Sequence, residues 1–241
     1  MRAPAVLLAL TAAFLLSACK ESPSDKVFGA KVRAYLLAHP EVLRETAMAL
    51  DKQDADQAAQ KSLAAIKANR RALENDPRDF VAHPNGKITV VQFFDYNCGY
   101  CKSIAPDFLT LIDENPDVRF VFKELPIVGG PMSERAARMA LTVSADKGDY
   151  LGLYRTLIET PRVDNAAIDR VLVQRGLDPM ALETRAAALK VDAHIEDVKA
   201  LAQELGLQGT PAFIIGDSFV GGAHIGEIKA AIAKAKAKAK A

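Results

Sequence analysis

Charge imbalance is the first thing this 241-residue chain lacks. Its 31 Lys and Arg stand against 30 Asp and Glu, a formal net charge of +1. So balanced a chain presents no global field to draw nucleic acid. Cysteine is scarce, with only Cys19, Cys98 and Cys101. His39, His83, His194 and His224 show no ligand spacing, and no second CxxC exists, which disfavours zinc; no metal site and no cofactor is expected. No internal repeat is evident. A long apolar run is also missing, because Ala5 to Leu16 holds about twelve residues where a membrane-spanning helix needs about 20. Half of the residues are nonetheless hydrophobic, enough for one large domain plus an appendage.

That short apolar run has another use. Arg2 supplies a basic start, Ala5 to Leu16 an apolar core and Leu16-Ser17-Ala18-Cys19 an end, so residues 1–18 read as an export signal. Leu-Ser-Ala-Cys resembles the bacterial lipoprotein box, in which the cysteine becomes the lipidated first residue. The alternative is ordinary cleavage beside a stray cysteine. The expectation is a protein of the bacterial envelope, on the periplasmic side, held to the membrane by a lipid on Cys19. Export places Cys98 and Cys101 in an oxidising compartment with no other cysteine to compete. A disulfide closing over two residues constrains the unfolded chain little, so catalysis is favoured over stapling.

The pair sits in Asn97-Cys98-Gly99-Tyr100-Cys101, after the apolar run Ile88–Phe94 and at the start of a helix expected over Tyr100–Glu114. A strand that delivers two thiols to a helix start suits redox chemistry. Unpaired N–H groups and the positive end of the helix dipole stabilise a thiolate there. The spacing lets the second thiol reach the first, although it is also half of a zinc site.

Along the chain, Lys20 to Asp25 is a polar tether, and residues 26–77 are expected to be helical, with a break at His39-Pro40. Phe28, Val32, Tyr35 and Leu36 share a face, and Val42, Leu43, Ala47 and Leu50 continue the stripe. Residues 51–62 keep helix propensity but carry no bulky apolar side chain, so they read as a solvated spacer. The main domain, residues 78–241, should open with a short strand over Asp79–Ala82, a turn at His83–Gly86 and a buried strand over Ile88–Phe94. Pro106 should kink the helix after the cysteines. A strand over Val118–Lys123 follows, then a loop at Gly129–Pro131 and a helix from Ser133 to Ala145. Residues 149–206 read as helices, with starts at Asp164 and Asp178-Pro179 and stops at Gly176 and Gly206. Ala212–Ile215 and Ser218–Val220 make a hairpin, and a last helix runs from Gly226 into the Lys/Ala tail. The fold class is α/β, a sheet interrupted by a helical insertion at about 131–206.

Phe93-Phe94-Asp95-Tyr96-Asn97-Cys98-Gly99-Tyr100-Cys101-Lys102 resembles the active-site segment of bacterial Dsb-type thiol-disulfide oxidoreductases of the thioredoxin superfamily. Gly209-Thr210-Pro211-Ala212-Phe213 resembles their cis-proline loop. Together these cover roughly residues 78–233. Tyr35–Leu43 resembles the N-terminal helical region of suppressor-of-copper-sensitivity protein C relatives, and oligomerisation through these helices is an expectation. The resemblance implies a thioredoxin-like fold and thiol–disulfide exchange, with Cys98 as exposed nucleophile and Cys101 as buried resolving thiol. Gly99, Tyr100, Thr210 and Pro211 would meet substrate, and the Thr210–Pro211 peptide would be cis. The implied partners are cysteine-containing envelope proteins and a membrane redox partner of the Dsb type.

One position departs from the pattern. Many thioredoxin-like proteins carry a buried acid six residues before the nucleophile, and here Gln92 stands there, unable to exchange a proton. Lys123 resembles the family's buried lysine and could sit near the cysteines. It can equally be a surface charge at a strand end. Gly99-Tyr100 and Thr210 resemble isomerase and reductase members, which puts isomerase slightly ahead of oxidase. Two thiolates could instead hold Cu(I), a soft ion that such ligands suit.

Overall fold

The computed structural model describes residues 23–240. The export signal, Cys19 and tether residues 20–22 lie outside the described residues. The chain forms two compact units, one ending at Ala58 and one beginning at Ala59.

The first unit holds helix α1 (Pro23–Ala38) and the part of α2 (Pro40–Ala68) up to Ala58. Helix α1 starts inside the stretch read as tether, and the break falls at His39, with Pro40 opening the next helix. Residues 51–62 are helical throughout, with every described side chain to Lys61 exposed. Ala, Lys and Gln favour the helix intrinsically, and a Lys52–Asp56 ion pair at 2.6 Å adds a little. Val27, Phe28, Val32, Tyr35, Leu37, Leu43, Met48 and Leu50 are exposed.

The second unit adds a short helix α3 (Arg70–Glu74) and a five-stranded sheet in the order β1-β3-β2-β4-β5. The strands are β1 (Phe80–Ala82), β2 (Ile88–Phe94), β3 (Val118–Glu124), β4 (Ala212–Ile215) and β5 (Ser218–Gly221). β2 and β3 pair in parallel through helix α4 (Gly99–Glu114), while the other neighbours are antiparallel. Between β3 and β4 the chain inserts α5 (Pro131–Ala145), α6 (Tyr150–Glu159), α7 (Asn165–Gln174), α8 (Pro179–Leu189) and α9 (Val191–Glu204). Asp149, Asp164 and Asp178 accept backbone N–H bonds at the starts of α6, α7 and α8. Gly176 and Gly206 follow α7 and α9 with φ of 72° and 70°, a conformation that glycine adopts without strain. Helix α10 (Ile225–Lys240) closes the chain. This is the thioredoxin-like sheet with a helical insertion.

Strand alternation sorts the core into two layers. Val90, Phe94, Phe120 and Phe122 face one side, with both cysteines, Phe108 of α4, and Tyr150 and Tyr154 of α6. Val91, Phe93 and Val121 face the other, against Ile66, Leu73 of α3, and Val198 and Leu201 of α9. Everything chemical about the cysteines therefore belongs to the first layer.

Candidate active site

β2 ends at Phe94 and hands the chain to a tight segment that places Cys98 at the N-cap of α4. The Cys98 sulfur accepts the Cys101 N–H at 3.4 Å and donates to the Thr210 carbonyl at 3.1 Å. Both cysteines are free thiols, and both are buried, so Cys98 is not the exposed nucleophile expected from the motif: the cis-proline loop covers all but 5% of it. The Cys98 thiol is pulled down to about 5, chiefly by a hydrogen bond from the Cys101 thiol. Burial opposes this, and the Thr210 hydroxyl and the Cys101 and Tyr100 N–H groups assist. Cys101 is fully buried, and burial followed by its bond to Cys98 pushes its thiol far above the usual range. The two sulfurs thus differ sharply in acidity.

Thr210 and Pro211 lie where the sequence motif places them, with the peptide between them cis. Pro211 leads into β4, whose Ala212 pairs with Phe93 of β2, which brings the loop over the α4 N-terminus. The Thr210 hydroxyl is buried and makes no hydrogen bond, and it helps lower the pKa of both sulfurs. The Thr210 carbonyl is engaged by the Cys98 thiol and is released when that thiol ionises. Gly99 is exposed, and Tyr100 is 71% exposed beside the nucleophile.

Asp95 organises the ground around the thiols. One carboxylate oxygen accepts from Asn97 N at 2.7 Å and the Ser133 hydroxyl at 2.6 Å. The other accepts from Val128 N at 2.7 Å and Gly129 N at 3.4 Å. Asn97 in turn bonds both main-chain groups of Val163, at 2.9 and 3.0 Å. Gly129 has to be glycine here, since a Cβ would lie 2.2 Å from Ser133 Oγ and 2.5 Å from Asn97 Nδ2. Lys102 donates to the carbonyls of Ile158 and Thr160, at 3.3 and 2.5 Å, and burial lowers its pKa.

Both readings of Lys123 need correction. Lys123 pairs with Phe93 in the β2–β3 register, so its side chain leaves the sheet on the face away from the cysteines. There it is buried rather than exposed, ion-paired with buried Asp79 and donating to the Ala72 carbonyl. His194 completes that cluster, with Nε2 3.0 Å from Asp79 Oδ1. The next residue, Glu124, faces the cysteine layer instead. Its carboxylate accepts from the Tyr96 hydroxyl at 2.9 Å and the Tyr150 hydroxyl at 2.8 Å. Gln92 lies in the same layer, its amide 3.4 Å from the Tyr154 hydroxyl, and its buried carbonyl oxygen has no partner. Sequence reasoning misses Glu124, Tyr150 and Tyr154. The only signal was a Lys-Glu pair ending an otherwise apolar strand.

Among the described residues no group of three or more His, Cys, Asp and Glu is arranged to hold a metal. No helix among them is long and apolar enough to cross a membrane.

The profile of the DSBA-like thioredoxin domain matches residues 89–233, which spans β2, both cysteines, the insertion and the cis-proline loop. The chain belongs to the DSBA-like thioredoxin family. The profile of the copper resistance protein ScsC N-terminal domain matches residues 26–57. ScsC from Proteus mirabilis, solved in a transitional conformation, is 30% identical with a TM-score of 0.66, covering 92% of this chain and 99% of that one. A thioredoxin-like oxidoreductase from Silicibacter pomeroyi DSS-3 is 37% identical with a TM-score of 0.65, covering 70% and 98%. The thiol:disulfide interchange protein DsbA of Bordetella pertussis is 27% identical over 140 residues. That match takes in 56% of this chain and spans 66% of the DsbA length.

Proposed function

We propose that this DSBA-like chain is a protein thiol-disulfide oxidoreductase of the bacterial envelope, with isomerisation slightly ahead of net oxidation. The observation that carries the reading is the split between the sulfurs, with Cys98 pulled to about 5 at a helix start and Cys101 buried and driven the other way. In this reading the Cys98 thiolate attacks a substrate disulfide, forming a mixed disulfide and expelling one substrate thiolate. Cys101 then either resolves that bond or waits while the substrate reshuffles. The acidity of Cys98 falls between the family-wide extremes of about 3.5 and about 7, a middle position that suits exchange in both directions. Tyr100 and the Thr210 main chain would hold an extended substrate, and a membrane protein of the Dsb type would reset the pair.

Refolding of scrambled ribonuclease, set beside oxidation of the reduced enzyme, tests the direction. Isomerisation should be the faster, and Cys98→Ala should abolish both. Activity surviving that substitution would defeat the reading.

Assembly of copies through α1 and α2 belongs to the same proposal. Phe28, Val32, Leu36, Leu37 and Leu43 line an open groove of about 370 Å³ within the first unit, too apolar to be left in water without cost. Light scattering should show an oligomer that Leu43→Glu reduces to a monomer. Lipid attachment at Cys19 would show by mass spectrometry of the exported protein. A Cu(I)-holding role for the same thiols is the second reading, favoured by the match to the copper resistance N-terminal profile. Copper titration with and without both cysteines separates it from exchange.

A further inference from the structure

We infer that Glu124 takes the proton released by Cys101 during resolution, acting through the hydroxyls of Tyr154, Tyr96 and Tyr150, and so replaces the acid missing at Gln92. The inference rests on the exchange chemistry proposed above. Its starting point is a chemical gap. Cys101 is fully buried and its thiol strongly resists ionisation, yet it must become a thiolate to attack Cys98. Gln92 cannot accept a proton. The buried lysine that might have served faces the opposite layer and is tied to Asp79.

Two buried carboxyls lie on the cysteine side, Asp95 and Glu124, and Asp95 has both oxygens held by main-chain N–H groups and the Ser133 hydroxyl, which leaves Glu124. It ends β3 opposite Phe94, at the strand end from which the cysteine segment departs, and it is 2% exposed. Tyr96 from that segment and Tyr150 from α6 both donate to one of its oxygens. Tyr154, one helical turn further along α6, has its hydroxyl at the Gln92 amide. Its ring packs beside those of Tyr96 and Tyr150, with centroids 6.0 and 6.4 Å away, and charge on either Cys101 or Glu124 raises its pKa. Glu124 thus faces Tyr96, Tyr150 and Tyr154, with Asp95 and Asp79 as the charged groups that also act on it. Burial, opposed by the two tyrosine bonds, pushes its carboxyl up to about 8, so it can both accept and return a proton near neutrality.

The step balances without any other reactant. The Cys101 thiol passes its proton to the Tyr154 hydroxyl, which gives up its own through the cluster to the Glu124 carboxylate. The Cys101 thiolate attacks the Cys98 sulfur, a Cys98–Cys101 disulfide forms, and the bond to the substrate sulfur breaks. The substrate leaves as a thiolate, reduced by two electrons, and the enzyme pair is oxidised. Reduction runs the proton back from Glu124 to Cys101. Because Glu124 touches neither sulfur, it is a positioning residue for the proton rather than a catalytic residue.

The full-length reduced protein tests this with the aryl disulfide dithiobis(nitrobenzoate) followed in a stopped-flow spectrophotometer. Attack by Cys98 releases one coloured thiolate, and resolution by Cys101 releases the second. The first phase should titrate near 5 and the second near 8, because the accepting carboxyl must be ionised. Glu124→Gln should keep the first inflection, slow the second phase about tenfold or more at pH 8 and remove its inflection. Tyr154→Phe should slow the second phase alone. Should Glu124→Gln fail to fold, Tyr96→Phe supplies the test. Losing a bond that lowers the Glu124 pKa must move the second inflection to higher pH while the first stays. A second phase with unchanged rate and inflection in Glu124→Gln, or an unmoved inflection in Tyr96→Phe, overturns the inference. A missing first phase in the wild-type protein would instead overturn the exchange reading.

Discussion

Replacing Thr210 by Val keeps the shape of the side chain and removes a buried hydroxyl that acts on both sulfurs. That hydroxyl helps hold Cys98 at about 5, so its loss must raise the pKa. A hydrogen bond to a charged group is worth about 1.5–3 kcal/mol, and the low end fits one contributor among four, giving a rise of about one pKa unit. The variant then titrates near 6. A more basic thiolate is also more nucleophilic, by about threefold per unit at a Brønsted slope of about 0.45. The two effects oppose each other with pH. At pH 4.5 the variant should alkylate about threefold more slowly than wild type, and at pH 8 about threefold faster, with the curves crossing near pH 5.6. Iodoacetamide labelling of Cys98, followed by mass spectrometry across that range, reads this directly. Rates lowered equally at every pH would show that Thr210 shapes access rather than acidity, and would refute the reasoning.

Three further outcomes follow from the same geometry. Asp79→Asn leaves Lys123 charged and buried without its partner, a loss of about 3–5 kcal/mol that should lower the melting temperature by about 10 °C or more in a fluorescence melt. The folded pKa of Cys98 lies below its unfolded value, so ionisation stabilises the reduced protein fully above about pH 9 and not at all once pH falls through about 5. The melting temperature of the reduced form, measured against the oxidised form, should therefore fall as pH drops from 9 to 5. Gly129→Ala forces a methyl group into Ser133 and Asn97, and a denaturant midpoint should record a loss of about 1–3 kcal/mol.

Local signals made much of this molecule legible. The Asp caps and glycine stops of the insertion fall where residue chemistry puts them, and the CxxC and Thr-Pro motifs meet although 112 residues separate Cys98 from Thr210. What escaped was decided by facing. The strand expected over Val118–Lys123 ends one residue later, and that residue, Glu124, is the one turned toward the cysteines. Lys123 and Glu124 are adjacent in sequence, so only the register shows which layer each enters. The Asp95 hub joins residues up to 38 apart, and Tyr150 and Tyr154 arrive from the insertion, beyond the reach of any local pattern. Residues 51–62 carry no apolar stripe, so intrinsic propensity rather than burial settles them as helix.

The leading causes that acidify Cys98 are hydrogen bonds, from a neighbouring thiol, a hydroxyl and two main-chain N–H groups, with the charge of Lys102 acting on it besides. None of the leading ones is a charged side chain. Mobile ions weaken attraction between separated charges but scarcely touch a bond made at contact. A nucleophile activated in this way keeps its reactivity from dilute to briny surroundings. That insensitivity would suit the envelope setting proposed above, where the salt content follows the surroundings of the cell.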